Sequence, residues 1–234
     1  MERRDFLRLA SGSLSSLILA QSFPEVAHSA TFSNPLVYLP KNDLPRMAWT
    51  VDDGCSNESV RRYVEFVIEH NLRLTFFVYS SMSPWRKNAE LMRPLIDSGQ
   101  IQVANHSHTH PNLTLLSYAE VQKELMNCHN FIKNTYGVDA RPYYRAPFGA
   151  INRAVMQAAA DIGYTKPMSW SGSLADSAML KPGRLLYHAD ISIKDRGILI
   201  GHANNLVAAD HFDRLLKMVN DRNLSLVTLK DAFG

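Results

Sequence analysis

The chain reads as an α/β protein of a single domain whose parallel strands close into a barrel. Three features of the sequence predict this. From Met47 onward, short apolar runs alternate with segments whose apolar residues recur at helical spacing, the pattern of βα units on a parallel sheet. About seven such runs follow one another and no glycine-rich phosphate loop accompanies them, which favours a barrel over an open nucleotide-binding sheet. Polar residues of unusual type stand directly after four of the runs, where a parallel barrel carries its chemistry.

Met47–Val51 is a short apolar strand, and Val60, Val64, Val67 and Ile68 then recur at helical spacing. Leu72–Tyr79 is a second strand, with Leu74, Phe76 and Val78 on one face. A helix over Asn88–Ser98 ends at Gly99, and Ile101–Ala104 is a third strand. Ser117 and Glu120 make a capping box for a helix carrying Val121, Leu125, Cys128 and Ile132, which stops before Gly137. Short strands are expected at Tyr143–Arg145, Tyr164–Ser169, Ile198–Gly201 and Leu224–Thr228, with helices at Ile151–Ile162 and His211–Val219.

With 46% hydrophobic and 20% charged residues, the composition excludes a disordered or collagen-like chain. A net charge of +3, scattered along the sequence, gives no sign of a nucleic-acid partner. No run approaches the ~20 apolar residues that a membrane-spanning helix needs. Two cysteines, Cys55 and Cys128, are too few for a disulfide framework or a four-sulfur zinc site, and nothing in the sequence brings them together. At the N-terminus, Glu2-Arg3-Arg4-Asp5-Phe6-Leu7-Arg8 precedes a weakly apolar, serine-broken run from Leu9 to Ala20. A basic head, a short apolar middle and small residues near Ala30 make an export signal of the twin-arginine type. Residues 1–30 are read as that signal, with cleavage after Ala30, cleavage near Ala20-Gln21-Ser22, and an uncleaved anchor as alternatives. Residues 31–45, holding Pro35, Pro40 and Pro45, are an extended lead-in to the folded domain at 46–234. The expected destination is the periplasm, the cell envelope or the exterior, and the export machinery is the one protein partner implied.

Asp52-Asp53 follows the first strand and precedes Gly54. Adjacent carboxylates repel, so one is expected to hold a cation while the other acts as a base or is paired. An Asx-capped turn is the plainer alternative. His106-Ser107-His108-Thr109-His110 follows the third strand, and neutral imidazole is the commonest metal ligand. An extended segment would place His106, His108 and His110 on one face; a helical one would pair only His106 with His110. One Asp and two His with open positions describe a catalytic metal site, not a closed structural one. Arg145, at another strand end, can pair with a carboxylate of the site, and His202, after Ile198-Leu199-Ile200-Gly201, can supply a proton. Trp170, Ser171 and Asp176 follow the strand ending at Ser169, where Trp170 suits the core or a pocket wall equally. His70, His129, His188 and His211 stand alone and are not candidates.

Four segments together resemble the ordered motifs of the polysaccharide deacetylases, the NodB-homology carbohydrate esterases. They are Thr50-Val51-Asp52-Asp53-Gly54, Asn105-His106-Ser107-His108-Thr109-His110-Pro111-Asn112-Leu113, Arg145-Ala146-Pro147-Phe148, and Ile198-Leu199-Ile200-Gly201-His202. The resemblance runs from about Met47 to Thr228. It implies an irregular (β/α)7-8 barrel that hydrolyses N-acetyl, or sometimes O-acetyl, groups of chitin, peptidoglycan, related oligosaccharides or xylan. The implied cofactor is one divalent metal, zinc first, with cobalt or manganese as alternatives. By the same resemblance Asp53, His106 and His110 hold the metal, with His108 a neighbour. Asp52 is the general base, Arg145 holds Asp52, and His202 is the general acid. Leu199 helps form the pocket for the acetyl methyl, a backbone N–H near Phe148 meets the oxyanion, and Trp170 belongs to the pocket wall.

Two departures bear on these expectations. The family's Trp-x-x-Asp-x-x-Asp-Trp stretch reads Trp170-Ser171-Gly172-Ser173-Leu174-Ala175-Asp176-Ser177, which leaves Asp176 as the group to tune His202. Cys55 replaces the family's usual proline, and a small turn residue is favoured over a soft extra ligand. Two other readings stand beside the deacetylase: a carbohydrate-binding protein on the same fold with a decayed site, and another metal-dependent amidohydrolase in which His106 and His108 act as a pair. The export reading predicts that Arg3→Lys combined with Arg4→Lys retains the protein in the cytoplasm on cell fractionation; unchanged export overturns it.

Overall fold

The computed structural model describes residues 31–234, so the segment assigned to export lies outside the described residues. In chain order the strands are Arg46–Asp53 (β1), Leu74–Val78 (β2), Ile101–Asn105 (β3), Tyr143–Tyr144 (β4), Lys166–Pro167 (β5), Gly172–Ser173 (β6), Ile198–His202 (β7) and Ser225–Leu226 (β8). They form one sheet in the order β5-β4-β3-β2-β1-β7-β6, and β8 pairs with the start of β1. Every pairing among them is parallel. The helices are Asn57–His70 (α1), Ser83–Lys87 (α2), Ala89–Asp97 (α3), Tyr118–Tyr136 (α4), Arg153–Ala160 (α5), Pro182–Ser192 (α6), Phe212–Asp221 (α7) and Leu229–Phe233 (α8).

The two-residue period of a strand separates two cores. Met47, Trp49 and Val51 of β1 point to the helices and pack with Val60, Tyr63 and Phe66 of α1, with Trp49 edge-on to Tyr63, Phe66 and Phe212. Ala48 points the other way, into an interior shared with Phe77, Ala104, Tyr143, Met168 and Ile198 from neighbouring strands. That same face carries Thr50 and Asp52 toward the C-terminal end of the strand, so the parity of one strand sets what enters the site.

The curved sheet is a barrel left open between β5 and β6. The lead-in occupies this seam and belongs to the fold, which its reading as an extended approach did not anticipate. Leu36 bridges Met168 in parallel sense and Tyr38 bridges Gly197 in antiparallel sense. Leu39 is fully buried in the interior core, and Leu36 packs on it. Prolines at 35 and 40 keep this segment extended, while its leucines supply the apolar surface that seats it.

The capping box of Ser117 and Glu120 forms as read, and α4 ends at Gly137. The expected strand at Tyr164–Ser169 is reduced to Lys166–Pro167; the N–H groups of Lys166 and Met168 donate to the Pro142 and Tyr144 carbonyls, and Pro167, which has no N–H, lies between them on an edge strand. The helices α2, α6 and α8 lie where the sequence pattern gave no helix. Two of them place a proline in the first turn, Pro84 and Pro182, where a missing N–H costs nothing. Burial of Leu39 makes a testable claim for the strap: Leu39→Ala should lower unfolding free energy by about 2–5 kcal/mol in a urea titration. A loss well under about 1 kcal/mol would show that the strap is not part of the cooperative unit.

Candidate active site

The two aspartates end β1 in different backbone states. Asp52 still lies in the strand, while Asp53 has φ of +69° and Gly54 +85°. Aspartate tolerates that left-handed conformation, and the turn brings both carboxylates to one imidazole. His106 Nε2 is 3.5 Å from Asp52 Oδ2 and 3.3 Å from Asp53 Oδ1. The turn is clamped from outside by Trp85, whose Nε1–H donates to the Asp53 carbonyl at 2.6 Å. A Cβ on Gly54 would lie 2.3 Å from the Trp85 ring, so only glycine allows this contact.

The His106–His110 segment is neither of the regular shapes considered for it. Ser107 and His110 take φ of +69° and +58°, and the chain coils into a turn held by side chains. Asn105 Oδ1 accepts from Ser107 N–H, Ser107 Oγ accepts from His110 N–H, and Glu124 accepts from the N–H groups of His108 and Thr109. The turn sends His106 and His110 to one point and His108 to another, where its Nδ1 pairs with Ser80 Oγ at 2.9 Å. A working pair of His106 and His108 is therefore not formed. His106 Nδ1 donates to the Arg145 carbonyl at 2.8 Å, which leaves Nε2 unprotonated and facing the aspartates in the neutral ring. His110 stacks on Tyr79 and receives the edge of Phe148.

Asp53, His106 and His110 each present one ligand atom within 4.8 Å of the others. Asp53 Oδ1 lies 3.3 and 3.2 Å from the two imidazole nitrogens, yet it is buried and accepts no hydrogen bond. A buried carboxylate oxygen without a donor is costly, and two imidazoles and a carboxylate with further positions open are a donor set that fits one divalent cation.

Arg145 and Asp52 form an almost fully enclosed ion pair, 1% and 2% exposed at their side chains. Arg145 Nη1 donates to Asp52 Oδ1 at 2.5 Å and to Thr50 Oγ1 at 2.9 Å, while Nη2 donates to the Ser169 carbonyl at 3.1 Å. Its guanidinium lies 4.1 Å from the centre of the Phe77 ring. On the other side, the register of β1 and β7 sets Asp52 beside His202. His202 Nδ1 donates to Asp176 Oδ1 at 2.9 Å and its backbone N–H donates to Oδ2 at 3.2 Å, so Asp176 is the partner left open by the altered 170–177 stretch.

One expected position needs correction. Leu199 is buried in the layer between sheet and helices, packed in one core with Trp49, Val51 and Leu174, and cannot line an acetyl pocket. Strand parity instead turns Ile200 to the face that carries His202. Phe148 is 70% exposed with φ of +60° and crosses the His110 ring, which puts its backbone beside the site. Trp170 is half-buried against Gly149, with the Arg145 guanidinium 5.8 Å from its ring centre. Cys55 is exposed and Cys128 buried, both free, and among the described residues the ligand atoms that converge are those of Asp53, His106 and His110, without Cys55. One contributor escaped the sequence altogether: Asn204, whose Nδ2 donates to Asp53 Oδ2 at 2.7 Å.

These contacts displace the titrations in a consistent sense. Burial would raise the Asp53 carboxyl, but the imidazoles of His106 and His110 and the Asn204 amide outweigh it and hold Asp53 well below the carboxylate range. Burial would lower His106, but the charges of Asp52 and Asp53 raise it. Burial likewise opposes His202, and the hydrogen bond to Asp176 with the nearby aspartates raises it.

Comparison with known proteins agrees with this geometry. A parallel half-barrel with an Asp-His-His set at its strand ends defines the class of fold and site that the motifs implied. Residues 40–167 match the polysaccharide deacetylase model, and the chain belongs to that family. It is 23% identical over 216 residues to the uncharacterized protein YlxY of Bacillus subtilis, covering 92% of this chain and 65% of that protein. It is 27% identical over 189 residues to the peptidoglycan-N-acetylglucosamine deacetylase PgdA of Listeria monocytogenes, covering 81% of this chain and 39% of that one. The chain thus spans less than two-thirds of the length of these curated relatives. In fold it is similar to a CE4 family pseudoenzyme from Bacillus anthracis, with a TM-score of 0.74 and 20% identity over 86% of this chain and 70% of the other.

The raised imidazoles fix a sign. A histidine whose folded-state value exceeds its ordinary value of about 6.5 contributes stability that is complete below that pH and is lost as pH rises through the raised value. Asp53 stays ionised in that range and adds no slope. The melting temperature of chelator-treated protein should therefore fall as pH rises above about 6.5, and a flat or rising profile would contradict the assigned ion pairs.

Proposed function

We propose that this protein is a metal-dependent hydrolase that removes acetyl groups, N-acetyl in the first place, from a polysaccharide or oligosaccharide such as chitin or peptidoglycan. The observation that carries the reading is Asp53 Oδ1, a buried carboxylate oxygen with no hydrogen bond, facing the Nε2 atoms of His106 and His110. Asp53, His106 and His110 hold the metal, and zinc is the best match to a carboxylate and two imidazoles. Such a cation, when bound, supplies Lewis acidity, lowering the pKa of water towards ~7 and polarising a carbonyl.

The remaining residues handle protons. Asp52 is outside the ligand set; its Oδ1 is tied to Arg145, and its Oδ2 faces the site and takes a proton from the attacking water. His202 keeps Nδ1 on Asp176 and presents Nε2, which gives a proton to the departing amine. An amine leaves very poorly without that proton. The products are acetate and a free amino sugar. The Arg145–Asp52 and His202–Asp176 pairs support an enzyme over a binding protein with a decayed site, because binding alone needs neither base nor acid. The deacetylase PgdA among the relatives supports the substrate class. A cell-envelope or external polymer also agrees with the proposed export segment at residues 1–30.

The test is acetate release by purified protein, stripped of metal and reloaded with zinc, cobalt or manganese, on chitin oligosaccharides, peptidoglycan and acetylxylan. Release should depend on the metal. Tight binding of one metal with no acetate from any substrate would favour the binding protein. Asp52→Asn should lower turnover by at least ~10²-fold while metal content stays at the parental level. Loss of the metal in that variant would overturn the division of roles between the two aspartates.

A further inference from the structure

We infer that Asn204 is a positioning residue of the metal centre, which decides which oxygen of Asp53 faces the two imidazoles. The inference rests on Asp53 being the carboxylate ligand of the proposed function.

A carboxylate can turn about its Cβ–Cγ bond and offer a cation either oxygen or both. In this protein the choice is already made. Asp53 Oδ2 accepts from Asn204 Nδ2 at 2.7 Å, and Oδ1 is left without a donor before His106 and His110. The amide is itself held in one orientation. Its Oδ1 accepts from the backbone N–H of Cys55 at 3.3 Å, and its Nδ2 also reaches the Ser177 carbonyl at 3.4 Å. Flipping the amide would set its NH₂ against the Cys55 N–H and its oxygen against two acceptor oxygens, so the orientation follows from the donors and acceptors around it.

The residue type suits the task. An amide donates at every pH and carries no charge, whereas a lysine or arginine at the same place would oppose a divalent cation a few ångströms away. Hydrogen bonds around first ligands commonly set metal affinity, and their loss costs ~10–100-fold. Position matters as well. Asn204 lies two residues after His202, and the adjacent Asn205 donates its Nδ2 to the Asp176 carbonyl at 2.9 Å. One short segment after β7 therefore braces Asp53, the metal half of the site, and Asp176 with His202, the proton half.

The experiment compares the full chain with Asn204→Ala and Asn204→Leu. Zinc affinity is read by competition with a chromophoric chelator, and melting of the metal-free proteins reports folding. Asn204→Leu keeps the shape of the amide but cannot donate to Asp53, and it adds no charge that would itself attract or repel the cation. Both variants should fold and bind zinc ~10–100-fold more weakly, and any lost turnover should return at saturating zinc. Parental affinity in folded Asn204→Ala overturns the inference. So does parental affinity in folded Asn204→Leu, which alone decides if Asn204→Ala does not fold. If the parental chain binds no zinc, the assignment of Asp53 fails, and the inference falls with it.

Discussion

The buried guanidinium of Arg145 is the interaction around which the site is arranged. It stands in the barrel interior at the end of β4 and bonds to Asp52 and Thr50 of β1 and to the carbonyls of Met168 and Ser169 beyond β5. Thr50 in turn donates to the Leu199 carbonyl of β7. Strands that are not neighbours in the sheet are thus linked through one side chain. Enclosing a lone charge is prohibitive, and the pair tolerates burial because each of the three guanidinium nitrogens finds an oxygen. The strap enters the same network, since the Ser169 N–H donates to the Leu36 carbonyl. Closing the open seam and fixing the Asp52 carboxylate are therefore parts of one structural task.

Asp52 and Asp53 show how identical neighbours acquire different chemistry. Asp52 remains in the strand, on its interior face, against a permanent cation. Asp53 leaves the strand through a left-handed turn and meets two imidazoles and a neutral amide. No property of the side chain distinguishes them. The difference comes from one backbone dihedral, which the Trp85 indole and the bare Cα of Gly54 make affordable.

Long apolar strands, the Ser117–Glu120 box and the clustered histidines were legible because each is a local pattern with a local cause. The convergence of Asp53, His106 and His110 was legible for a related reason: both histidines belong to one turn, and the aspartate ends β1. Leu199 was misjudged because a strand's parity cannot be known until the neighbouring face is assigned. Asn204 left no signal, because an asparagine in a loop is ordinary and its partner lies 151 positions away. The strap was similarly opaque, since Leu36 and Leu39 form no periodic pattern and their burial depends on a gap between β5 and β6. The helix α6 buries Leu185, Leu186, Ala189 and Ser192, a face at helical spacing whose alanine and serine leave it too weakly apolar to announce itself.

The stretch between Trp170 and Ser177 shows how backbone geometry can set a carboxylate under an imidazole. The Ser173 hydroxyl accepts from the Ala175 N–H at 2.9 Å. Ala175 takes φ of +57°, and the chain reverses so that Asp176 is fully buried beneath His202. Gly201 packs against the same turn: a Cβ there would press on Leu174 at 3.0 Å and on the Tyr63 hydroxyl at 3.3 Å, and would reach ordinary contact with Asp176 Oδ2 at 3.4 Å. With both its N–H groups on this one carboxylate, His202 has a fixed tautomer, and its Nε2 faces the site. What orients the imidazole is a carboxylate beneath it, and the serine-capped turn is the local means by which this chain supplies one.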